Sequence, residues 1–207
     1  MKTLNQTIFR EYDIRGKYPE DLNPSSIRSI AFSIAKKCKA ESIDSLVIGR
    51  DGRLSGPELI KILEAELNNN GISTVNIGVV TSPLLYFAAK KSSTLSGIML
   101  TGSHNPKNYN GIKMVINDQP ISGKEIYEGI SSKPSSFNQN QAVRKNLNVV
   151  QTYVNEIVNS FSSIHKKIVI DCGNGAAGEI APYLFKKIGC EVIAVSYTHL
   201  TLPTKQM

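Results

Sequence analysis

Long apolar runs, a signal sequence and a cysteine framework are all missing from this chain. No run approaches the ~20 apolar residues that are needed to cross a bilayer, and the first residues become polar too soon for the apolar core of a secretory signal. Cys38, Cys172 and Cys190 have neither the spacing of a metal site nor the even count of a disulfide framework. We therefore predict a cytoplasmic protein with no membrane partner and with buried thiols.

A concentrated basic region is missing as well. The formal net charge is +7 at pH 7, yet the Lys and Arg residues are spread along the chain. No long basic block with interleaved aromatic residues occurs, and this argues against a nucleic-acid partner. The excess of positive charge favours an anionic small molecule as the ligand, although an ordinary basic surface explains most of the lysines equally well.

Length and composition limit the number of folded units. The chain has 207 residues, of which 41% are hydrophobic and 20% are charged, as in an ordinary globular protein. Since domains cluster near ~100–150 residues, one complete core and part of a second fit this length. We therefore predict two units.

Apolar runs and helical patterns alternate in the first unit. The runs predict strands at residues 46–48, 74–77 and 98–100. Helical spacing and capping residues predict helices that begin at Asn23, that run from near Ser55 to Asn70, and that span residues 83–91. This β–α–β–α–β order predicts a layered α/β domain with a largely parallel sheet.

A polar stretch at residues 131–141 separates the two units. We place the first domain at residues 1–135 and a partial second domain at residues 136–195. The second part is predicted to hold a helix, a strand, a glycine-rich turn, another helix and a further strand, which is the truncated start of a second, similar α/β domain. Residues 196–207 break this pattern.

Residues 101–106 (T-G-S-H-N-P) put a hydroxyl, an imidazole and a carboxamide on one tight turn. Gly102 and Pro106 stop the preceding strand, so Ser103 is expected at its carboxyl end, the edge of an open α/β sheet where ligands bind. With His104 beside it, Ser103 is a candidate nucleophile. The alternative is an ordinary polar turn.

Five segments, in order, resemble the α-D-phosphohexomutase superfamily. They are residues 9–16 (F-R-E-Y-D-I-R-G), 47–57 (V-I-G-R-D-G-R-L-S-G-P), 101–106, 108–113 (N-Y-N-G-I-K) and 169–175 (V-I-D-C-G-N-G). The first and third resemble the phosphomannomutase/phosphoglucomutase branch, whereas phosphoglucosamine mutases usually have a T-D-G-I-R-G-like start and an A-S-H-N-P loop. The resemblance stops at about Val195, which implies an N-terminal fragment followed by a non-native tail that is similar to translated sequencing adapter.

The resemblance implies an isomerase, an intramolecular phosphotransferase that interconverts hexose 1-phosphate and hexose 6-phosphate. Phosphorylated Ser103 and a 1,6-bisphosphate intermediate would carry the phosphate, and mannose or glucose phosphate would be the substrate. The resemblance also implies Mg²⁺ bound through the Ser103 phosphate, with the other metal ligands outside this chain, and glucose 1,6-bisphosphate as activator. The fragment is then expected to be inactive alone. Residues 112–116 are expected to run antiparallel at one side of a mixed, mainly parallel sheet.

Two cations are the catalytic candidates besides Ser103 and His104. Arg15 is expected to bind substrate phosphate, since guanidinium binds phosphate oxygens in a bidentate fork. Lys113 alternates with Ile112 and Met114 and is expected to face the cleft, where it would bind substrate and act as acid, base or fixed charge. The alternatives are a surface salt bridge for Arg15 and a solvated strand position for Lys113.

Other polar residues near the motifs have smaller expected roles. Tyr12 is expected to line the substrate cleft. His104 would contact the phosphate or move protons, and Asn105 would orient the loop and bind substrate, although both residues could instead only hold the turn. Residues 50–53 carry two arginines and an aspartate, and we predict that Arg50, Asp51 and Arg53 brace a loop.

A different class of function is also open. Gly173, Gly175 and Gly178 follow a predicted strand and open a helix, which is the spacing of a dinucleotide-binding fingerprint. That fingerprint requires an acidic residue at the end of the next strand to hold the ribose. The next strand offers only Glu191, at its start, so a nucleotide-binding module is the weaker alternative.

Overall fold

The structure is a computed structural model that describes residues 4–130 and 142–195. Its strands are β1 (Ile14–Lys17), β2 (Ser45–Arg50), β3 (Ser73–Val79), β4 (Gly97–Leu100), β5 (Tyr109–Ile116), β6 (Gln119–Pro120), β7 (Arg144–Asn146), β8 (Lys167–Asp171) and β9 (Glu191–Val195). Its α-helices are α1 (Pro24–Ala40), α2 (Gly56–Asn69), α3 (Ser82–Lys91), α4 (Gly123–Ile130), α5 (Val150–Asn159) and α6 (Ala177–Ile188).

The main sheet is mixed and mainly parallel, as predicted. Its strand order is β1-β5-β4-β2-β3-β7, and β6 pairs with β5. β2 runs parallel to β3 and β4, and β7 runs parallel to β3, whereas β5 runs antiparallel to β4 and β1. The antiparallel direction of β5 is therefore confirmed. It is the second strand from its side of the sheet, because β1 pairs with its outer edge.

Two apolar clusters cover the two faces of this sheet. The larger one joins α1, α2 and α4 to the sheet through side chains such as Ile34, Leu63 and Ile126. The smaller one lies on the opposite face, where Leu84 and Leu85 of α3 pack over β2 and β4. The result is a three-layer α/β/α arrangement, in which α3 packs against β2 and β4 in the middle of the sheet.

Capping residues place the first two helices where the sequence predicts them. The side chain of Asn23 accepts hydrogen bonds from the backbone N–H groups of Ser25 and Ser26 (3.0 and 3.1 Å), and Pro24 occupies the first turn. α2 ends at Asn69, with Asn70 as C-cap, and Gly71 follows in the left-handed region at φ +77°.

Four elements are missed by the sequence analysis: β1, β6, α4 and β7. β7 consists of Arg144, Lys145 and Asn146, all exposed, and it joins β3 through backbone hydrogen bonds. A strand without apolar side chains leaves no hydrophobic pattern to detect. β7 follows the predicted domain limit at residue 135 and yet belongs to the main sheet. The limit itself and residues 196–207 lie outside the described residues.

The second part of the chain forms a two-stranded parallel sheet of β8 and β9, connected by α6. α5 packs between this unit and the first, with the Tyr153 ring 5.2 Å from that of Phe87 and an ion pair of 2.8 Å between Glu156 and Lys91 of α3. The assignment of this part to a second domain remains a prediction. No helix in the described ranges is long and apolar enough to cross a membrane.

The three thiols differ in burial. Cys38 and Cys190 are buried as predicted, while Cys172 is only half-buried. Burial raises the pKa of Cys38 to about 12, so this thiol is inert at neutral pH. Cys172 differs because it lies in the loop after β8, at the end of the small sheet.

Candidate functional site

The T-G-S-H-N-P loop leaves the sheet where β4 ends. The backbone N–H of Asp51, which follows β2, donates to the carbonyl of Leu100, the last residue of β4 (3.0 Å). The carboxyl ends of two parallel strands therefore meet at this loop, as predicted for Ser103. The Ser103 side chain is exposed, and its backbone has φ +54°, in the left-handed region that few non-glycine residues adopt. Such a conformation persists only when neighbouring groups hold it.

Arg53 is the group that holds the loop. Its side chain is almost completely buried, and its guanidinium makes five hydrogen bonds with good geometry. The acceptors are Asp51 Oδ2 (3.1 Å) and the carbonyl oxygens of Ser103 (2.8 Å), Asn105 (2.7 Å), Pro106 (2.6 Å) and Tyr109 (2.9 Å). One side chain from a different loop thus holds four carbonyl groups around a single cation.

Asp51 and Gly102 complete this bracing. The Thr101 hydroxyl donates to Asp51 Oδ2 (2.7 Å) and accepts from the backbone N–H of Ser103 (2.8 Å). A Cβ atom on Gly102 would lie only 2.4 Å from Cζ of Arg53, so only glycine leaves room for the guanidinium at this position. The loop and its brace are therefore fitted to each other.

The prediction that Arg50, Asp51 and Arg53 brace a loop is confirmed. Arg50 donates from Nη1 to the carbonyl of Asp51 (2.9 Å), and burial lowers the pKa of Arg50. Asp51 receives the backbone N–H of Arg53 (3.1 Å) as well as its Nε. These three residues support the loop from the end of β2.

A buried carboxylate joins the two predicted catalytic cations. Oδ2 of Asp13 accepts from Arg15 Nε (2.8 Å), lies 2.8 Å from Arg15 Nη2, and accepts from Lys113 Nζ (3.1 Å). Burial by itself would raise the pKa of Asp13, but the hydrogen bonds from Arg15 and Lys113 and their charges outweigh it, so the pKa lies below its ordinary value. Asp13 is therefore ionised at neutral pH.

Arg15 also connects this ion cluster to the loop. Its Nη1 donates to Oδ1 of Asn105 (2.5 Å), while the carbonyl of Asn105 is held by Arg53. The alternative of a surface salt bridge is wrong for Arg15, because Arg15 and Asp13 are both buried. Asn105 is thus the residue at which the cation pair and the brace meet.

Strand register explains why Lys113 reaches Asp13. β1 and β5 are antiparallel with Ile14 opposite Ile112, so Asp13 comes opposite Lys113. Ile112 and Met114 are buried on the other face, whereas the Lys113 side chain is 24% exposed. Lys113 therefore lies on the face opposite its two apolar neighbours, as the alternation in sequence predicts, although it is paired rather than simply solvated.

Tyr12 and His104 lie at the exposed side of the site. The Tyr12 side chain is 75% exposed. The His104 ring places Nδ1 3.5 Å from Oγ of Ser103, at the upper limit of a hydrogen bond. The structure thus brings His104 to Ser103, and Arg15 to Asn105 and Lys113, while Tyr12 remains a solvent-facing candidate.

Asp13 is the site residue that sequence reasoning missed. The available signal was an acidic residue two positions before Arg15 on a short strand, where alternate residues share a face. Tyr86 of α3 was missed as well. Burial raises the pKa of Tyr86, and the negative charge of Asp13 adds to the effect.

The first unit of this chain is similar to a domain of known proteins. Residues 6–136, well over half of the chain, match the family model described as phosphoglucomutase/phosphomannomutase, alpha/beta/alpha domain I. The chain belongs to the phosphoglucomutase/phosphomannomutase family. The α/β/α layers of the matched domain agree with the three layers of the first unit.

Named relatives agree with the family match. A phosphomannomutase/phosphoglucomutase of Pseudomonas syringae is 40% identical over 196 residues, which cover 93% of this chain and 42% of the relative. A phosphoglucomutase of Neisseria gonorrhoeae is 38% identical over 93% of the chain and 43% of the relative. A phosphoglucosamine mutase of Natranaerobius thermophilus is 32% identical over 90% of the chain and 44% of the relative. The chain spans less than half the length of these relatives.

A solved structure of the same family has the same fold. The phosphoglucomutase/phosphomannomutase family protein of Burkholderia thailandensis superimposes with a TM-score of 0.87 at 36% identity, covering 96% of this chain and 46% of that one. The phosphoglucomutase pp63/parafusin of Paramecium, at 19% identity and a TM-score of 0.70, shares the fold.

Within β9, which ends at Val195, Glu191 is the acidic residue available to a dinucleotide site at the glycine-rich loop after β8. Glu191 forms an ion pair of 2.9 Å with Lys167, its partner in the parallel register, at the start of β8 and β9. The loop leaves the other end of β8, about 13 Å away at ~3.3 Å per residue. Glu191 therefore lies too far from the loop to hold a ribose bound there.

The described residues do not contain a set of ligands for the Mg²⁺ that the family resemblance implies. Within residues 4–130 and 142–195, no group of three or more His, Cys, Asp or Glu side chains is placed to hold a metal ion. Asp51, the acid nearest in the hydrogen-bond network to Ser103, is already bonded to Thr101 and Arg53. The Ser103 oxygen stays the candidate metal ligand that the sequence analysis names.

Proposed function

We propose that the full-length protein containing this chain is a phosphohexomutase that interconverts hexose 1-phosphate and hexose 6-phosphate through phosphorylated Ser103. The observation that carries the proposal is the exposed Ser103 on a loop that Arg53 holds, with Arg15 bonded to that loop through Asn105 and with Lys113 joined to Arg15 through Asp13. Family membership and the names of the relatives support the same activity.

The reaction begins with transfer of the phosphate from Ser103 to a hydroxyl of the bound hexose phosphate. The P–O bond to Ser103 Oγ breaks as a bond from phosphorus to the sugar oxygen forms, and the hydroxyl proton passes to a base. The hexose 1,6-bisphosphate then turns round and returns its other phosphate to Ser103. Phosphoryl transfer of this kind depends on positioning and on positive charge more than on covalent assistance.

Residues of this chain can supply both the positioning and the positive charge. Arg15, anchored on Asn105, and Lys113 supply positive charge, and both bind substrate phosphate in this proposal. Lys113 and His104 are the groups that can carry protons between Ser103 and the sugar. Tyr12 lines the open side of the substrate cleft. Arg53 takes no part in binding phosphate, because its donors are already used by the loop.

Mg²⁺ and glucose 1,6-bisphosphate belong to the proposal through the family resemblance. Ser103 would hold Mg²⁺ through its phosphate, and the remaining ligands would come from outside this chain. Glucose 1,6-bisphosphate would act as activator by phosphorylating Ser103. We also propose that the 207-residue chain is a fragment that shows no mutase turnover alone, since it covers less than half the length of its relatives.

The substrate class has two candidates. Mannose phosphate and glucose phosphate are favoured, because the Y-D-I-R-G and T-G-S-H-N-P segments resemble the phosphomannomutase/phosphoglucomutase branch. A phosphoglucosamine is the second candidate, supported by the relative of that name at 32% identity.

The test is phosphorylation of the full-length protein by glucose 1,6-bisphosphate and Mg²⁺. Intact-mass and peptide analysis should find one added phosphate on Ser103, and a coupled assay should convert glucose 1-phosphate or mannose 1-phosphate into the 6-phosphate. Ser103→Ala should lose both signals. Phosphate on Ser55 or Ser122 instead, or turnover in the Ser103→Ala protein, would overturn the assignment. Turnover by the 207-residue chain alone, above its own Ser103→Ala control, would refute the proposed inactivity of the fragment.

A further inference from the structure

Asp13 has no role in the reaction proposed above, although it binds two of the residues that do. It is a buried carboxylate at the start of β1, and a single oxygen of it holds both Arg15 and Lys113. Burying a charge is costly unless it is paired, and removal of one partner of a buried pair leaves the other charge uncompensated. Asp13, Arg15 and Lys113 therefore form one unit with a single net positive charge.

Lys113 is the member of this unit that an anion can reach from solvent, because Asp13 and Arg15 are buried. Arg15 lies on β1, Lys113 on β5, and Asp13 directly precedes β1. Lys113 keeps 24% of its side chain exposed, and Arg15 extends from Asp13 to Asn105 of the Ser103 loop. Arg15 thus links the internal carboxylate to the loop where phosphate is transferred, and Lys113 is bound to the same carboxylate.

We propose that Asp13 is a positioning residue that acts as the resident counter-ion of Arg15 and Lys113. It fixes both cations beside the Ser103 loop and reduces the charge that they present to a bound phosphate. This inference rests on the proposed function for its catalytic part. Its electrostatic part concerns the affinity of the site for an anion and does not depend on turnover.

The physical consequence is a split between binding and catalysis. Removal of the carboxylate charge leaves two uncompensated cations, so a simple anion binds more tightly. The same change frees Arg15 and Lys113 from their common anchor, so the transition state, which requires a fixed geometry, is less well stabilised. A residue that only maintained the fold would weaken both properties together.

The experiment uses full-length protein with inorganic phosphate as the binding probe, measured by calorimetry, and the mutase assay as the second readout. Asp13→Asn keeps the shape and removes the charge. We expect its phosphate affinity to rise at least ~3-fold and its kcat to fall at least ~10-fold. Asp13→Glu keeps the charge but moves it by one methylene, so we expect wild-type phosphate affinity with a reduced kcat. This second variant also decides the matter if Asp13→Asn does not fold.

A matched control and a double variant sharpen the test. Asp118→Asn removes an exposed carboxylate that pairs with Lys90 of α3, and it should leave phosphate affinity and kcat unchanged. In a Lys113→Met background, Asp13→Asn should lower kcat less than ~3-fold, because residues that act through one another are not additive. Full additivity would overturn the positioning role.

The outcomes separate the two proposals. Unchanged or weaker phosphate binding in Asp13→Asn overturns the counter-ion role, whatever the turnover. Tighter phosphate binding in Asp13→Asn, with a wild-type protein that has no mutase activity on any hexose phosphate, supports the counter-ion role and overturns the proposed function.

Discussion

The loop after β4 and the loop after β8 both follow the carboxyl end of a parallel strand, and both contain glycine and asparagine. The loop after β8 has short-range contacts, in which Asp171 Oδ1 accepts from the N–H of Gly173 (2.8 Å) and the carbonyl of Cys172 accepts from the N–H of Gly175 (2.8 Å). The Ser103 loop is held by Arg53, which lies 50 positions earlier in the chain. A turn sequence gives a loop its local path, and a buried side chain from a neighbouring loop gives it the rigidity that a reactive group needs.

The strongest way to break this comparison is to remove the brace. Arg53→Met keeps an unbranched side chain but removes the cation that pairs with Asp51 and that donates to four carbonyl groups. We expect a loss of about 3–5 kcal/mol in the free energy of unfolding, the range for breaking a buried ion pair, and severe loss of mutase activity in the full-length protein. Denaturant titration measures the first effect. The matched change in the other region, Asp171→Asn, should cost less than ~1 kcal/mol; equal losses would remove the distinction.

Removal of the two cations tests whether the braced loop works with its neighbours. Arg15→Ala and Lys113→Ala should each lower kcat/KM at least ~100-fold, about 2.7 kcal/mol, because a charge that acts on the transition state is lost. Circular dichroism should show that the fold is intact. Lys167→Ala, which removes an exposed pair beside β9, serves as the control and should stay within about threefold of wild type. Wild-type kinetics from either cation variant would return that residue to a structural role.

Two glycine substitutions sharpen the comparison at the level of single methyl groups. Gly102→Ala places a Cβ 2.4 Å from the bound guanidinium of Arg53, and we expect a loss of about 2 kcal/mol. Gly178→Ala in α6 meets only Cys172 Cβ at 3.9 Å, an ordinary contact, and should stabilise the helix by about 0.5 kcal/mol. Thermal unfolding of the two variants should therefore shift in opposite directions. A gain in stability from Gly102→Ala would show that Arg53 is not held in place.

The smallest expected effect is on acid stability. The pKa of Asp13 is lowered in the folded protein, so its contribution to stability is complete above the unfolded value of ~3.9 and is lost as the pH falls through the lower folded pKa. The free energy of unfolding should therefore decrease below about pH 4, and Asp13→Asn should remove part of that slope. Urea titrations between pH 2 and 6 measure it. If the free energy of unfolding of Asp13→Asn falls with decreasing pH as steeply as that of the wild type, other carboxyl groups account for the loss of stability in acid.

Helices and central strands of this chain could be predicted because their causes are local. Asn23 followed by Pro24 marks the start of α1, and Asn70 with Gly71 marks the end of α2, as the structure has them. β7 could not be predicted, because Arg144 to Asn146 join the sheet through the backbone alone. A pattern of apolar side chains carries no information about such a strand.

Some residues of the site could likewise be predicted from local sequence, whereas the roles of others depend on contacts that are distant in sequence. Ser103, Arg15 and Lys113 lie in short segments that carry a recognisable motif. The role of Asp13 depends on the antiparallel register of β1 and β5, which brings residue 13 opposite residue 113. The role of Arg53 depends on two loops that meet at the ends of β2 and β4. Contacts between residues so far apart in sequence exist only after the sheet has formed.

Arg53 holds the Ser103 loop entirely through backbone carbonyl groups, apart from its own pair with Asp51. Every amino acid has a carbonyl, so the hydrogen bonds from Arg53 do not require a particular side chain at positions 103 and 106. The groups that hold the loop are therefore different from the side chain that would react. A population of sequences can exchange the reactive group at position 103, for example for Asp, which tolerates the left-handed backbone there, without losing the turn that presents it.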